Sequence, residues 1–201
     1  MDFGLSSRHR ALRQKVREFA DTEIAPIAQE LDEKHCFPYD VVRKLGRLGI
    51  MGLPFPRKYG GQGADMLSLV IAVEELARVD SSVAITVAAN VCLGGFPIYF
   101  FGTEEQKQEW LVPLAKGKVL GSMGLTEPQA GSDAGATATT ARLEGDEWII
   151  NGSKNFITNS GTDMSAFVTI TAVTGQLDGQ KEISNIVVPR GTQGYQQEKA
   201  Y

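Results

Sequence analysis

Apolar positions fall into a helical rhythm over the first half of the chain and an alternating one over the second. From Ser7 to Leu31, the residues Leu12, Val16, Phe19, Ile24, Ile27 and Leu31 recur at three- to five-residue steps among Arg, Lys and Glu, as an amphipathic helix requires. Ser6 or Ser7 can cap it, and Pro26, which removes a helical hydrogen bond, predicts a kink or break near Ala25. Pro38 opens a short helix that buries Val42, Leu45 and Leu48 and stops at Gly49. Asp65 can cap a helix through Val79. Ser81 or Ser82 can start another through Val91, apolar nearly all round and so expected between neighbours. Its face with Thr86, Ala89, Asn90 and Leu93 reads either as the lining of a cavity or as small residues at helix crossings. Thr103 and Gln106 form a capping box for a helix through Trp110 and Leu114 that ends before Gly117.

After Gly117 β-branched residues, Thr, Gly and Asn become frequent. Strands are predicted at Val119 to Thr126, Thr137 to Leu143, Glu147 to Asn151, Lys154 to Thr158, Ala166 to Val173 and Ile183 to Val188. Asn151-Gly152 reads as a type I′ hairpin turn between two of them, while Gly161 to Asp163 and Thr174 to Lys181 read as loops, the second mobile. Helices followed by strands describe an α+β protein. Residues 1–118 form an N-terminal all-α helical domain, and 119–201 a small antiparallel β-barrel or sandwich domain.

The glycine-rich Leu53 to Gly63 is a loop. Its Gly-Gly-Gln-Gly lacks both the preceding strand and the following Gly-Lys-Ser/Thr of a phosphate-binding loop. A net charge of −4 without a Lys/Arg cluster argues against a nucleic-acid partner. No apolar run reaches the roughly 18 residues that cross a bilayer, so no membrane insertion is expected. The start, with Asp2 and charged residues, lacks a signal peptide's apolar core, which makes the cytoplasm the expected compartment. Two cysteines, Cys36 and Cys92, and two histidines, His9 and His35, form no metal or disulfide spacing.

Candidate chemistry concentrates in residues 123–133, where Thr126 and Ser132 offer hydroxyls, Glu127 and Asp133 carboxylates, and Gly124 and Gly131 freedom for close backbone approach. Such a stretch suits a planar heterocycle or an anion, and it equally reads as a solvated turn. Leu125-Thr126-Glu127-Pro128-Gln129-Ala130-Gly131-Ser132-Asp133, followed by Trp148-Ile149-Ile150-Asn151-Gly152-Ser153-Lys154-Asn155-Phe156-Ile157-Thr158-Asn159, resembles the paired signature of the acyl-CoA dehydrogenase family. The resemblance spans the whole chain. It implies an N-terminal helical domain, a small β domain, and FAD held by the latter with a C-terminal helical bundle.

Carried over by position, Met123, Gly124, Leu125 and Thr126 fall where the family edges the flavin ring. The Leu125 backbone and Thr126 hydroxyl stand on the pyrimidine side. Gly131 and Ser132 fall where the chain approaches the cofactor, and Ser132 also where the acyl-CoA is contacted. Phe156, Ile157 and Thr158 fall where an aromatic covers one flavin face and a hydroxyl reaches N5. Without the resemblance, Phe156 would read as a cross-strand core aromatic. Thr86, Ala89 and Leu93 match the face beside the acyl tail.

The implied reaction is α,β-dehydrogenation of acyl-CoA thioesters, short-chain ones by preference, with electrons passing to an electron-transfer flavoprotein and a homo-oligomer, a homotetramer, as the full-length state. A non-catalytic homologue binding a nucleotide-bearing ligand or partner, and a same-fold oxidase or monooxygenase, are the alternatives. The family's usual catalytic glutamate lies in the C-terminal bundle, whereas this chain stops at Tyr201 within the β domain. No catalytic base is therefore assigned, and Glu127 and Asp133 match positions that shape the loop.

Overall fold

The computed structural model describes residues 4–197. Asp2, in the charged start, and Tyr201, at which the sequence-based β domain stops, lie outside them. The chain divides into two compact units near Leu120 and Gly121.

The first unit is helical. α1 (Ser7–Phe19) starts where the Ser6 side chain accepts from the His9 amide, and it runs into a wider π turn, Ala20–Ile24. The chain breaks at residues 25–27, beside Pro26, before α2 (Ala28–Lys34). α3 (Tyr39–Arg47) opens after Pro38, and Gly49 follows with a φ of 77°. α4 (Met66–Ala77) is capped by Asp65, whose carboxylate accepts from the Ser68 amide at 2.8 Å.

α5 (Ser81–Ala89) is capped by Asp80 and not by the serines after it. The Asp80 carboxylate accepts from the amides of both Ser82 and Val83 and brings negative charge to the helix's positive end. A second π turn, Asn90–Gly95, joins α5 to α6 (Phe96–Phe101). The continuous helix from Ser81 to Phe101 is thus 21 residues long and, contrary to the sequence-based count, is long and apolar enough to cross a membrane. Within its most apolar window 56% of the residues are buried inside the protein, so that apolarity serves the core. The capping box at Thr103 forms as expected for α7 (Glu104–Gln106), and a third π turn, Lys107–Leu111, leads to α8 (Val112–Ala115).

Side chains including Val16, Ile24, Leu45, Phe55, Leu76, Val87 and Leu111 fill this unit's core. One buried charge ties α1 to α4: Arg17 grips the Glu75 carboxylate through Nε at 2.8 Å and Nη2 at 3.0 Å, while Arg13 stands 3.3 Å away. The bond from Arg17 holds the Glu75 carboxyl below its ordinary value against the opposing effect of burial.

The glycine-rich loop folds on itself. Gln62, Gly63 and Ala64 donate their amides to the carbonyls of Gly52, Phe55 and Leu53, so these donors are not free for a phosphate. A Cβ at Gly61 would stand 2.1 Å from the Phe55 carbonyl oxygen, which explains the glycine by close packing.

The second unit carries one five-stranded sheet made of β1 (Leu120–Gly124), β2 (Thr140–Glu144), β3 (Glu147–Asn151), β4 (Ser165–Leu177) and β5 (Gln180–Pro189). Its order is β1-β4-β2-β3, with β5 also on β4. Contrary to the all-antiparallel expectation, β2 meets β4 in parallel, so the sheet is mixed. β4 is buried on both faces over most of its length, and Val168 and Ile170 join Val188 in a core that Ile150, Ile157, Ile186 and Tyr195 cover.

Three predictions fail here. Residues 174–181 are not a mobile loop, because β4 and β5 continue to a tight turn at Asp178-Gly179, whose φ values of 49° and 78° match a type I′ hairpin. Their exposed polar residues carry no periodic signal, and a register shift at Val173/Gly175 absorbs the irregularity. Lys154 to Thr158 is not a strand, since Phe156 and Asn159 take left-handed backbone conformations, at φ 56° and 71°. Asn151-Gly152 is therefore no hairpin turn. Gly152 is needed because a Cβ there would meet the Cα of Thr139 at 2.7 Å.

Candidate functional site

The first signature segment begins on β1, with Met123 half-buried and Gly124 buried at the strand's end. Beyond it Leu125 is 40% exposed and Thr126 half-buried. Glu127 and Ala130 then exchange backbone hydrogen bonds, 2.8 Å and 3.1 Å, across a turn whose corners are Pro128 and Gln129. Pro128 suits a corner because its missing N–H is not needed there. Gly131 and Ser132 follow, both exposed, with open space where a Gly131 side chain would stand.

The second segment lies against the first. The Asn155 amide donates to the Thr126 carbonyl at 2.8 Å, and a Cβ on Gly124 would touch Lys154 and Ile157 at 3.1–3.3 Å. Gly124 is thus small because the second segment crosses it. Around this crossing the side chains diverge. Ile157 packs on the core cluster, Thr158 is half-buried, and Phe156 projects with 87% of its surface exposed. Phe156 is no cross-strand core residue. A bulky side chain in a left-handed conformation costs on the order of 1–3 kcal/mol and persists where surrounding structure imposes it.

Beneath the crossing is a buried ion pair. Lys154 Nζ stands 2.7 Å from Glu127 Oε1, with side-chain exposures of 5% and 2%. The carboxylate also accepts from the amides of Ala138 and Thr139, at 2.7 Å and 3.0 Å, from the Thr137 hydroxyl and from the Gln129 amide. The ammonium's three N–H groups are shared among that carboxylate, the hydroxyls of Thr137 and Thr171, each at 2.9 Å, and the Leu125 carbonyl at 3.3 Å. Burial alone would raise the Glu127 carboxyl, but the Lys154 ammonium and the Thr137 hydroxyl outweigh it and hold the group well below the usual carboxylate range. A carboxylate so engaged is a poor proton acceptor, consistent with a loop-shaping residue.

The structure therefore brings Gly124, Thr126, Phe156 and Ile157 into two touching segments, with Met123 and Leu125 on the first and Thr158 on the second. Ser132 lies exposed further along the first segment. In the helical unit Thr86 and Ala89 are buried, 5% and 2% exposed, and the Thr86 hydroxyl donates to the Ser82 carbonyl at 2.9 Å. Leu93 is 43% exposed in the π turn after them. The wider turn takes an extra residue and rotates Leu93 off the face that a regular helix would share with Thr86 and Ala89.

Sequence reasoning assigned no role to Lys154, Thr137 or Thr171. Lys154 stood inside the quoted signature, whereas Thr171 is 17 residues away on β4 and no local pattern marks it. Among the described residues no group of three or more His, Cys, Asp or Glu side chains could hold a metal ion.

Two family models match, acyl-CoA dehydrogenase N-terminal domain over residues 6–118 and acyl-CoA dehydrogenase middle domain over 122–201. The chain is 50% identical to a short-chain specific acyl-CoA dehydrogenase of Clostridium acetobutylicum over 97% of its own length and 51% of that protein's. It is similar, with 43% identity and a TM-score of 0.92, to a chain of the structure of Acidaminococcus fermentans described as an electron transferring flavoprotein, covering 99% of this chain and 52% of that one. It is also similar, with 33% identity and a TM-score of 0.89, to a glutaryl-CoA dehydrogenase of Mycobacterium smegmatis in complex with FADH2, over 98% and 49% of the two chains. The chain spans about half the length of the curated relatives it matches. With both of its units matched in order, it belongs to the acyl-CoA dehydrogenase family.

Proposed function

We propose that this chain supplies the flavin-edging part of an enzyme that dehydrogenates acyl-CoA thioesters, short-chain ones by preference, with FAD as cofactor. The observation that carries this reading is the crossing of the two signature segments, from which Phe156 projects into solvent at a strained backbone position. A flat apolar ring is what an exposed aromatic held this way can cover. The residues fit FAD: Gly131 leaves open space for close backbone approach, and the half-buried hydroxyls of Thr126 and Thr158 flank the crossing. The chemistry FAD supplies when bound is acceptance of the hydrogen that leaves the acyl chain's β-carbon.

This chain's own residues bind and orient. Met123, Gly124, Leu125, Thr126, Gly131, Ser132, Phe156, Ile157 and Thr158 form the cofactor surface, with Ile157 acting through its backbone because its side chain packs inward. Phe156 excludes water from one ring face, and the hydroxyls of Thr126 and Thr158 act as donors to the ring's polar edge. Ser132 serves the acyl-CoA; in the helical unit, taken by itself, Leu93 is the exposed member of the proposed acyl-tail set, and Thr86 and Ala89 are its buried members. Removal of the α-proton needs a carboxylate with an unoccupied oxygen, which Glu127 lacks, and no residue here is assigned as the base.

The short-chain preference is supported by the Clostridium relative, and electron transfer onward to an electron-transfer flavoprotein by the Acidaminococcus likeness. A cytoplasmic homo-oligomer, a homotetramer in the full-length form, completes the proposal. The test is an anaerobic titration of the purified protein with FAD, followed by a short acyl-CoA. Quenched flavin fluorescence and a shifted visible band support the site. Free-flavin spectra in the presence of excess protein overturn it, and a bound flavin that never perturbs on adding acyl-CoA favours a non-catalytic homologue.

A further inference from the structure

We infer that Lys154 is a positioning residue for the flavin-edging surface, acting through its buried pairing with Glu127. The inference rests on the flavin reading above for its functional consequence, but its structural content stands on the second unit alone. Lys154 lies two residues before Phe156, and Glu127 directly follows Thr126. The ammonium reaches four acceptors contributed by three stretches of chain: the Leu125 carbonyl and Glu127 on the first segment, Thr137 beyond it and, on β4, Thr171. The carboxylate gathers the same loop from the other side through the amides of Ala138 and Thr139.

Lys154 Nζ thereby links the first segment, the second segment and the central strand at one point. The backbone bond from Asn155 to Thr126 sets how far apart the segments stand at one place. The ammonium sets their direction, because its donors fan out to acceptors on different elements. Tolerating two charges at 5% and 2% exposure is unfavourable unless every polar atom finds a partner, and replacing such a pair by apolar groups is often neutral for stability. A pair kept for stability alone would therefore be dispensable, whereas one kept to orient Thr126 and Phe156 would not.

The experiment compares Lys154→Met, Glu127→Gln and the double variant with the parent protein. Hydrogen exchange of residues 125–139 and 154–159 is read without flavin, and the fluorescence quenching and visible band of added FAD are read on the folded fraction. Each single variant leaves a buried group without its partner and is expected to speed exchange in both segments. The double variant leaves no unpaired charge and keeps the test valid if a single variant does not fold. It is expected to recover the parent's thermal midpoint while FAD affinity stays about tenfold or more below the parent's and the band shape stays altered. Parent-like exchange in both segments of Lys154→Met, or a double variant that binds FAD with the parent's spectrum, overturns the positioning role. If the parent itself does not bind FAD, the flavin reading fails, and the exchange data alone then decide whether Lys154 orders the two segments.

Discussion

Phe156 and Gly152 show how backbone geometry decides a residue's role. With 87% of its surface exposed, Phe156 contributes little burial, yet its φ of 56° strains the chain. Phe156→Gly is therefore expected to be neutral or to raise stability by up to about 1 kcal/mol in urea unfolding, while lowering FAD affinity roughly three- to tenfold through loss of the ring contact. A marked loss of stability would mean that the ring serves the fold. Gly152→Ala should behave oppositely. Its added Cβ meets Thr139 backbone and side chain at 2.2–2.7 Å, and the expected cost is about 1–3 kcal/mol with any change in FAD binding following from misplacement of the next residues. In the sequence Phe156 stood out only through the family resemblance, and the glycine stood out for another reason: Asn-Gly signals a turn, whereas here the close approach of a segment 13 positions earlier requires it.

Among the elements, helix starts were the most legible because caps act within three or four residues. Asp65 is an example whose pH dependence can be worked out. The Ser68 hydroxyl, followed by the Ser68 amide, holds the Asp65 carboxyl down at about 2. A depressed carboxylate contributes stability that is fully present above its unfolded value near 4 and is lost as pH falls from about 4 to about 2. Asp65→Ala should cost about 1 kcal/mol at neutral pH and flatten the helical unit's acid sensitivity in that window, followed by circular dichroism at 222 nm. An unchanged acid profile would show that the cap does not stabilise α4. Strands were less legible. β4 and β5 extend past their predicted bounds, to Leu177 and from Gln180, because residues 176–182 around the turn are all exposed and set no inward–outward alternation. The π turns left no sequence signal at all, and they moved Leu93 away from its predicted neighbours.

At the scale of the whole molecule, apolar surface remains exposed. Leu143 and Trp148 are register partners on β2 and β3, 55% and 42% exposed, and so share one face of the sheet. Phe100 and Phe101 are exposed on α6, at 62% and 87%. Adjacent exposed apolar residues of this size favour association, so sedimentation velocity should show a concentration-dependent increase that Trp148→Lys reduces. A strictly monomeric boundary at high concentration would argue otherwise.

The sequence by itself determined the helix caps at Asp65 and Thr103, the change from helical to alternating period near Gly117, and the identity of the two signature segments. These depend on neighbours along the chain or on residue type alone. Only the tertiary structure decided that Lys154 to Thr158 leaves the sheet, that β2 meets β4 in parallel, and that the acid in the first segment is sealed against the lysine of the second. Each of those outcomes depends on which distant group satisfies a buried donor, acceptor or charge. Such partners, Thr126 for Asn155 and Glu127 for Lys154, lie 27 to 29 residues apart in the chain, far beyond the reach of any local pattern.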